Sequence, residues 1–269
     1  MSVETPAETA ARLLHASSFG AAAAAYAQHR PSYSDAAIRW CLDPVSTGAR
    51  PPRVTDLGAG TGILTAGLAR LGTDVVAIEP DQDMLAELCR QLPGVRAEAG
   101  SAEAIPLPDA SVDAVLVGQA LHWFDLDLAL PEIARVLVPG GVLAALWNVD
   151  DDRIGWVAEF AEISRRQGST TLLRWREGGG MSEQELALQA GAADFSAAET
   201  GEFSNPQTRT ADSLTATIAT HSHLLVKPQP ERDALLARIS DFLHQRPETA
   251  HGEFTLPLVT IAVRTRRNI

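Results

Sequence analysis

Cysteine is scarce in this chain: two residues in 269, Cys41 and Cys89, with no Cys-x-x-Cys pair. That usage argues against a disulfide framework or a zinc site and suits a reducing compartment. Basic residues are also outnumbered, with 22 Lys and Arg against 34 Asp and Glu for a net charge of −12. The phosphates of nucleic acid would meet mostly repulsion. The one basic cluster near a terminus, Arg264-Thr265-Arg266-Arg267, reads as a solvated tail. Long hydrophobic runs are missing too. Residues 1–14 lack a basic stretch followed by an apolar one, and Ala21 to Ala25 is too short to span a bilayer. The expectation is a cytoplasmic protein with no membrane association, a monomer or homodimer.

What the chain does have is enough apolar residue to build a core unaided: 45% hydrophobic against 21% charged. Its length suits one α/β domain carrying an insertion. Phe19 to Leu42 reads as helix, turn, helix, broken at Arg30-Pro31-Ser32, and Pro44 to Pro52 as a loop. From Val54 the pattern alternates. Strands are predicted at Val54–Leu57, Asp74–Glu79, Val95–Ala99, Val112–Val117 and Val142–Trp147. Helices are predicted between them at Ile63–Leu71, Asp81–Leu92 and Leu128–Leu137, the last with Pro131 in its first turn. This rhythm implies right-handed βαβ units and a parallel sheet, with ligands beyond the carboxyl ends of the strands. The second half is less regular. Trp156, Phe160 and Ile163 form a helical stripe, Ser182 and Glu185 have capping-box spacing, and Thr210 to Gln245 reads as two helices split at Lys227-Pro228-Gln229-Pro230. Phe195–Phe203 and Leu258–Arg264 read as the closing strands, and the helices between them are expected to cover the active site.

Asp56-Leu57-Gly58-Ala59-Gly60-Thr61-Gly62 joins the first strand to the first helix. A Walker loop would need Gly-Lys-Ser/Thr, and no lysine stands here. A dinucleotide fingerprint would need its third glycine at Ile63; the spacing is G-x-G-x-G instead. A tight turn without a ligand is the remaining alternative for the glycines taken alone. Glu79 ends the second strand, where a carboxylate can accept both hydroxyls of a ribose; otherwise it is an acid favoured by a helix N-terminus.

Together these residues carry a resemblance. Residues 53–148 resemble the core of the class I S-adenosylmethionine (SAM)-dependent methyltransferases, the methyltransferase type 11 domain. Asp56 leads a run similar to that family's E/D-x-G-x-G-x-G motif, and Glu79 matches its ribose acid. Gly100-Ser101-Ala102-Glu103 is similar to its adenine loop, and Leu137-Val138-Pro139-Gly140-Gly141 to its L-x-P-G-G turn. The runs Tyr26 to Tyr33 and Gln119 to Phe124 resemble a small-molecule subgroup that includes trans-aconitate-methyltransferase-like proteins. The resemblance implies an α/β fold: a Rossmann-like, seven-stranded, mostly parallel sheet with helices on both faces, an antiparallel last strand and a helical cap. It divides the chain into a helical lid at 1–45, a SAM-binding core at 46–150, and a region at 151–269 that completes the sheet and caps the acceptor site.

The implied roles are specific. Gly58 and Gly60 bring backbone to the methionine part of SAM, and Asp56 holds that region. Glu79 takes the ribose, with Asp81 and Met84 near ribose and adenine. Ser101, Ala102 and Glu103 meet the adenine edge, and Gln119 lies beside the donor. Tyr26, Arg30 and Tyr33 form part of a lid, in which Arg30 can bind a carboxylate. Tyr33, His122, Trp123 and Trp147 line the acceptor pocket. His122 is either a general base or a residue that shapes the pocket. The chain lacks the Asn/Asp-Pro-Pro-Tyr/Phe motif of amino-methylating DNA and peptide enzymes after strand four. His221 and His223 have no evident third ligand, so no metal is expected. The implied activity is methyl transfer from SAM to an oxygen, nitrogen or carboxylate of a small molecule. A SAM-binding protein without transfer, and a methyltransferase of RNA or protein, are the alternatives.

Overall fold

The computed structural model describes residues 30–164, 172–176, 194–220, 224 and 227–269. Helix α1 (Asp35–Leu42) leads into strand β1 (Arg53–Leu57), helix α2 (Ile63–Arg70), β2 (Asp74–Glu79), α3 (Gln82–Gln91), β3 (Arg96–Ala99), β4 (Val112–Gly118), α4 (Leu126–Val136) and β5 (Leu137–Asp150). Helices α5 (Gly155–Ser164) and α6 (Leu172–Arg176) follow, then β6 (Glu199–Ser204), β7 (Gln207–Arg209), α7 (Ala211–Ala219), α8 (Gln229–His244), β8 (Phe254–Leu256) and β9 (Leu258–Arg266). Seven strands form one sheet in the order β3-β2-β1-β4-β5-β9-β6, and β7 pairs with β8 in a separate ribbon. The first five strands of the chain run parallel, while β9 is antiparallel to both β5 and β6.

Strand alternation builds the two faces. In β4, Ala114 and Leu116 join a core with α1 and α2, while Val115 and Val117 join one with α4, Leu121 and Phe124. A third cluster holds Trp156 and Phe160 of α5 against Leu214, Ile218, Ile239 and Leu243 of α7 and α8. It lies beside the start of β9, whose Leu258 pairs with Asp150 at the carboxyl end of β5.

Several sequence expectations are corrected here. Helix α4 starts two residues early because the Asp125 side chain accepts the Asp127 N–H at 3.2 Å and so supplies the cap. Pro131 therefore stands inside the helix, not in its first turn. The Leu137-to-Gly141 run, similar to a turn in sequence, lies within β5, where pairing with β4 jumps from Val112–Leu137 to Ala114–Val142. The basic run Arg264 to Arg267 is no solvated tail. Arg264 stacks 4.0 Å over the Trp40 ring and pairs with Glu199, Thr265 is buried, and the Arg267 guanidinium donates to the Leu137 carbonyl. Helix α1 falls within the stretch expected as a lid, yet its Ala37, Ile38 and Cys41 are buried against the sheet, so it is a core layer. The helix expected after Ser182 lies outside the described residues.

Candidate functional site

Register aligns the carboxyl ends of the strands: Leu57 sits beside Ile78, Glu79 beside Ala99, and Gly118 beside Leu146. The loops leaving these ends converge. Gly58, Gly60 and Gly62 all adopt positive φ, 71°, 57° and 90°, a conformation that glycine enters without strain. The turn is anchored on β2, because Gly58 N–H and Ala59 N–H both donate to the Ile78 carbonyl, at 2.9 and 3.0 Å. Side chains pack closely on it. A Cβ at Gly58 would stand 2.8 Å from Ala120 Cβ, and one at Gly60 would stand 3.7 Å from Met84 Sδ.

Glu79 points into this turn. Its Oε2 accepts the Gly60 N–H at 2.8 Å and its Oε1 accepts the Asp81 N–H at 3.0 Å. A carboxylate offers about four acceptor positions, so each oxygen keeps one for a ligand. Burial raises the Glu79 pKa, and the two backbone N–H donors pull it back. Asp81 caps α3, its Oδ1 accepting from the N–H groups of Asp83 and Met84 at 2.9 and 3.0 Å. Asp56, only 1% exposed, accepts the Thr65 hydroxyl at 2.5 Å through Oδ2. Among the described residues its buried Oδ1 has no partner, nor has Thr61 Oγ1 in the turn itself. Burial pushes the Asp56 carboxyl up to about 7, opposed by the Thr65 hydrogen bond and helped by the charge of Glu79.

Ser101 bridges to Ala104, and Ala102 is buried between them. Glu103 Oε1 accepts the Asp125 N–H at 2.9 Å, which ties the loop after β3 to the start of α4. Gln119 is one of two non-glycine residues at positive φ (53°) among the described residues, and its N–H donates to the Leu146 carbonyl at 2.9 Å. Such backbone outside glycine concentrates at functional sites. His122 lies in a short turn (Leu121–Trp123), half-buried, its ring 4.5 Å from that of Trp123. Burial lowers its pKa to about 4, so the imidazole is neutral near pH 7. Tyr33 lies across Gly118: a Cβ there would stand 2.7 Å from the Tyr33 hydroxyl. Trp147 packs 5.3 Å from Trp175, and its buried Nε1 has no partner among the described residues.

The expected residues thus fall into two groups. Asp56, Gly58, Gly60, Glu79, Asp81 and Met84 surround the glycine turn, and Gln119, Tyr33, His122 and Trp123 gather at the end of β4. Glu103 is turned toward α4. Arg30 stands half-buried at the start of the described chain, and Tyr26, His221 and His223 lie outside it. Thr65 escaped the sequence reading. Thr65 is nine residues from Asp56, a spacing that only the strand-turn-helix fold brings together.

A sheet in this strand order, with a glycine turn and an acid at neighbouring strand tips, defines the Rossmann-like methyltransferase class. A family model described as a methyltransferase domain matches residues 55–145. An uncharacterized methyltransferase of Mycobacterium tuberculosis is 41% identical over 248 residues, covering 92% of this chain and 94% of that protein. Demethylmenaquinone methyltransferase of Beutenbergia cavernae is 44% identical over 98 residues, 36% of this chain and 41% of that one. A solved structure described as a type II methyltransferase from Anaeromyxobacter dehalogenans is 26% identical, with a TM-score of 0.63 over 89% of this chain and 97% of that one. The chain belongs to the class I SAM-dependent methyltransferases, and SAM is its methyl donor.

Proposed function

We propose that this methyltransferase transfers the methyl group of SAM to an oxygen, nitrogen or carboxylate of a small molecule. The observation that carries the donor half is the Glu79 carboxylate, held between Gly60 N–H and Asp81 N–H and retaining one acceptor position on each oxygen. Glu79 holds the ribose hydroxyls. Gly58 and Gly60 let the methionine part approach their backbone, and the unpartnered atoms Asp56 Oδ1 and Thr61 Oγ1 await polar groups there. Met84 packs on the adenine, with Asp81 beside the ribose, and Ser101, Ala102 and Glu103 at the base edge. Tyr26, Arg30 and Gln119 complete the donor side. No phosphate needs to be neutralised, which suits a turn bordered by carboxylates.

SAM supplies an electrophilic methyl on a sulfonium cation. The chain's own contribution is to align the acceptor atom with that methyl and to exclude water, an effect worth roughly 7–11 kcal/mol at best. Tyr33, His122, Trp123 and Trp147 line the acceptor side. His122 is neutral near pH 7 and keeps a lone pair for a proton from an acceptor hydroxyl, but a pKa lowered to about 4 makes it a weak base. A carboxylate acceptor would not need it. The small-molecule reading is supported by the net charge of −12, which repels RNA, and by the relative named for demethylmenaquinone. The subgroup similar to trans-aconitate methyltransferases supports the same reading, without naming that substrate. The N-terminal residues ahead of α1 and the region 151–269 then close the two sides of a core at 46–150, against which α1 packs as a layer.

The test is incorporation of labelled methyl from SAM into fractions of a cell extract. Label is expected in the metabolite fraction. Label confined to protein or RNA, or absent from all fractions, would reject the reading.

A further inference from the structure

The carboxyl end of β5 carries a partly buried polar network. Asn148 Oδ1 accepts the Thr260 hydroxyl at 2.7 Å and Asn205 Nδ2 at 2.9 Å. Asn205 Nδ2 also donates to the Ser32 carbonyl at 2.7 Å, and Asn148 Nδ2 donates to the same carbonyl at 3.1 Å. Thr260 Oγ1 accepts the Ser34 N–H at 3.2 Å, and Asn205 Oδ1 accepts Gln207 Nε2 at 3.1 Å. Thr260 and Asn205 are buried, and each polar atom of the three side chains is used. Leaving a buried one unmet would be costly, so the arrangement is strongly specified.

The network brackets a single residue. Ser32 is fixed through its carbonyl and Ser34 through its N–H, and Tyr33 lies between them with its ring across Gly118. Three strand ends contribute: Asn148 from β5, Thr260 from β9, and Asn205 from the turn between β6 and β7. The sheet would close without these side chains, because the backbone ladders of β5, β9 and β6 are made independently of them. Their common product is the placement of the Pro31–Ser34 segment over the end of β4.

We infer that Asn148, Asn205 and Thr260 are positioning residues, which clamp the Pro31–Ser34 segment and through it hold Tyr33 across Gly118, where the acceptor side meets the donor. This rests on the donor site proposed above. The probe is S-adenosylhomocysteine, titrated calorimetrically into the full chain. Asn205→Leu is expected to weaken its binding at least about fivefold, the order of one lost hydrogen bond. Tyr33→Ala should weaken it comparably, and the double variant should bind no worse than Tyr33→Ala alone. A merely structural role would lower the melting temperature yet leave the two effects additive. Additive effects, or a folded Asn205→Leu or Tyr33→Ala variant that binds like wild type, would overturn the inference. Should Asn205→Leu not fold, Asn148→Asp makes the same test, because it replaces the amide donor to Ser32 with an oxygen at equal size. Glu79→Ala separates the two proposals: if that variant also binds normally, it is the donor site that has failed, and not the clamp alone.

Discussion

Asp56 and Glu79 are carboxylates near the tips of adjacent strands, and burial raises the pKa of both. The difference between them lies in their partners. Glu79 is met by two backbone N–H groups, whereas Asp56 has one hydroxyl and one unpaired oxygen. Asp56 therefore titrates near 7 in the folded chain and near 3.8 in the unfolded one. Between those values the folded state holds the extra proton. Its contribution to stability is present at low pH and is lost as pH rises through about 7, with a slope of at most about 1.4 kcal/mol per pH unit. Affinity for the cationic donor runs the other way, because the ionised carboxylate is the form that attracts it. SAM binding is thus expected to weaken as pH falls below about 7, and Asp56→Asn to flatten both profiles. Calorimetric titrations and denaturant melts across that range check the two signs; parallel profiles in wild type and variant would refute the assignment. Glu79→Ala should weaken SAM by roughly tenfold or more, the scale of a hydrogen bond to a charged group. His122→Ala separates the two roles open to that residue once an acceptor is known: a loss of about 10²–10⁴ in turnover marks a general base, and less than about tenfold a residue that shapes the pocket.

Among the elements, Asp81 illustrates how a local cap serves a remote site. Its side chain starts α3, and that helix carries Met84 over Gly60. Asp81→Ala should cost about 1 kcal/mol of stability from the cap alone, readable by urea denaturation, and should also loosen donor binding. An unchanged urea midpoint would show the cap to be idle. The elements of the first half were legible in sequence because β2, β4 and β5 carry apolar runs and α2 and α3 repeat leucine at turn spacing, while β3 has no such run. Strand β2 falls on Asp74–Glu79 as the pattern predicts. Errors arose where a side chain outcompeted the pattern. Asp125 began α4 early, and Arg264, read as solvated by its charge, found an aromatic face in Trp40 that no local spacing announces. The residues proposed to hold the donor were legible for a related reason: they are strung along consecutive strand tips. The clamp was not, because Ser32, Asn148, Asn205 and Thr260 come together only through strand order.

For the whole molecule, donor and fold are thermodynamically linked, since the glycine turn and its acid exist as a pair only when β1 and β2 are neighbours. S-adenosylhomocysteine at about a hundred times its dissociation constant should add about 2.7 kcal/mol to stability. For a chain of this size that is a rise of roughly 5–10 °C in melting temperature. Differential scanning fluorimetry reads it directly, and a flat response would argue against product binding. Phe160→Ala probes the other end: fully buried in the third cluster, it should cost about 3–5 kcal/mol, while the folded variant keeps its affinity for the product.

Strand β9 is threaded between β5 and β6, although it follows both in the chain. During synthesis, β6 leaves the ribosome before the neighbour it will pair with has been made. Until that partner arrives, β5 and β6 each present an open hydrogen-bonding edge, the kind of edge that recruits other chains into aggregates. A nascent or truncated product that stops short of Leu258 would carry strands β1 to β5 complete and still be at risk of precipitating.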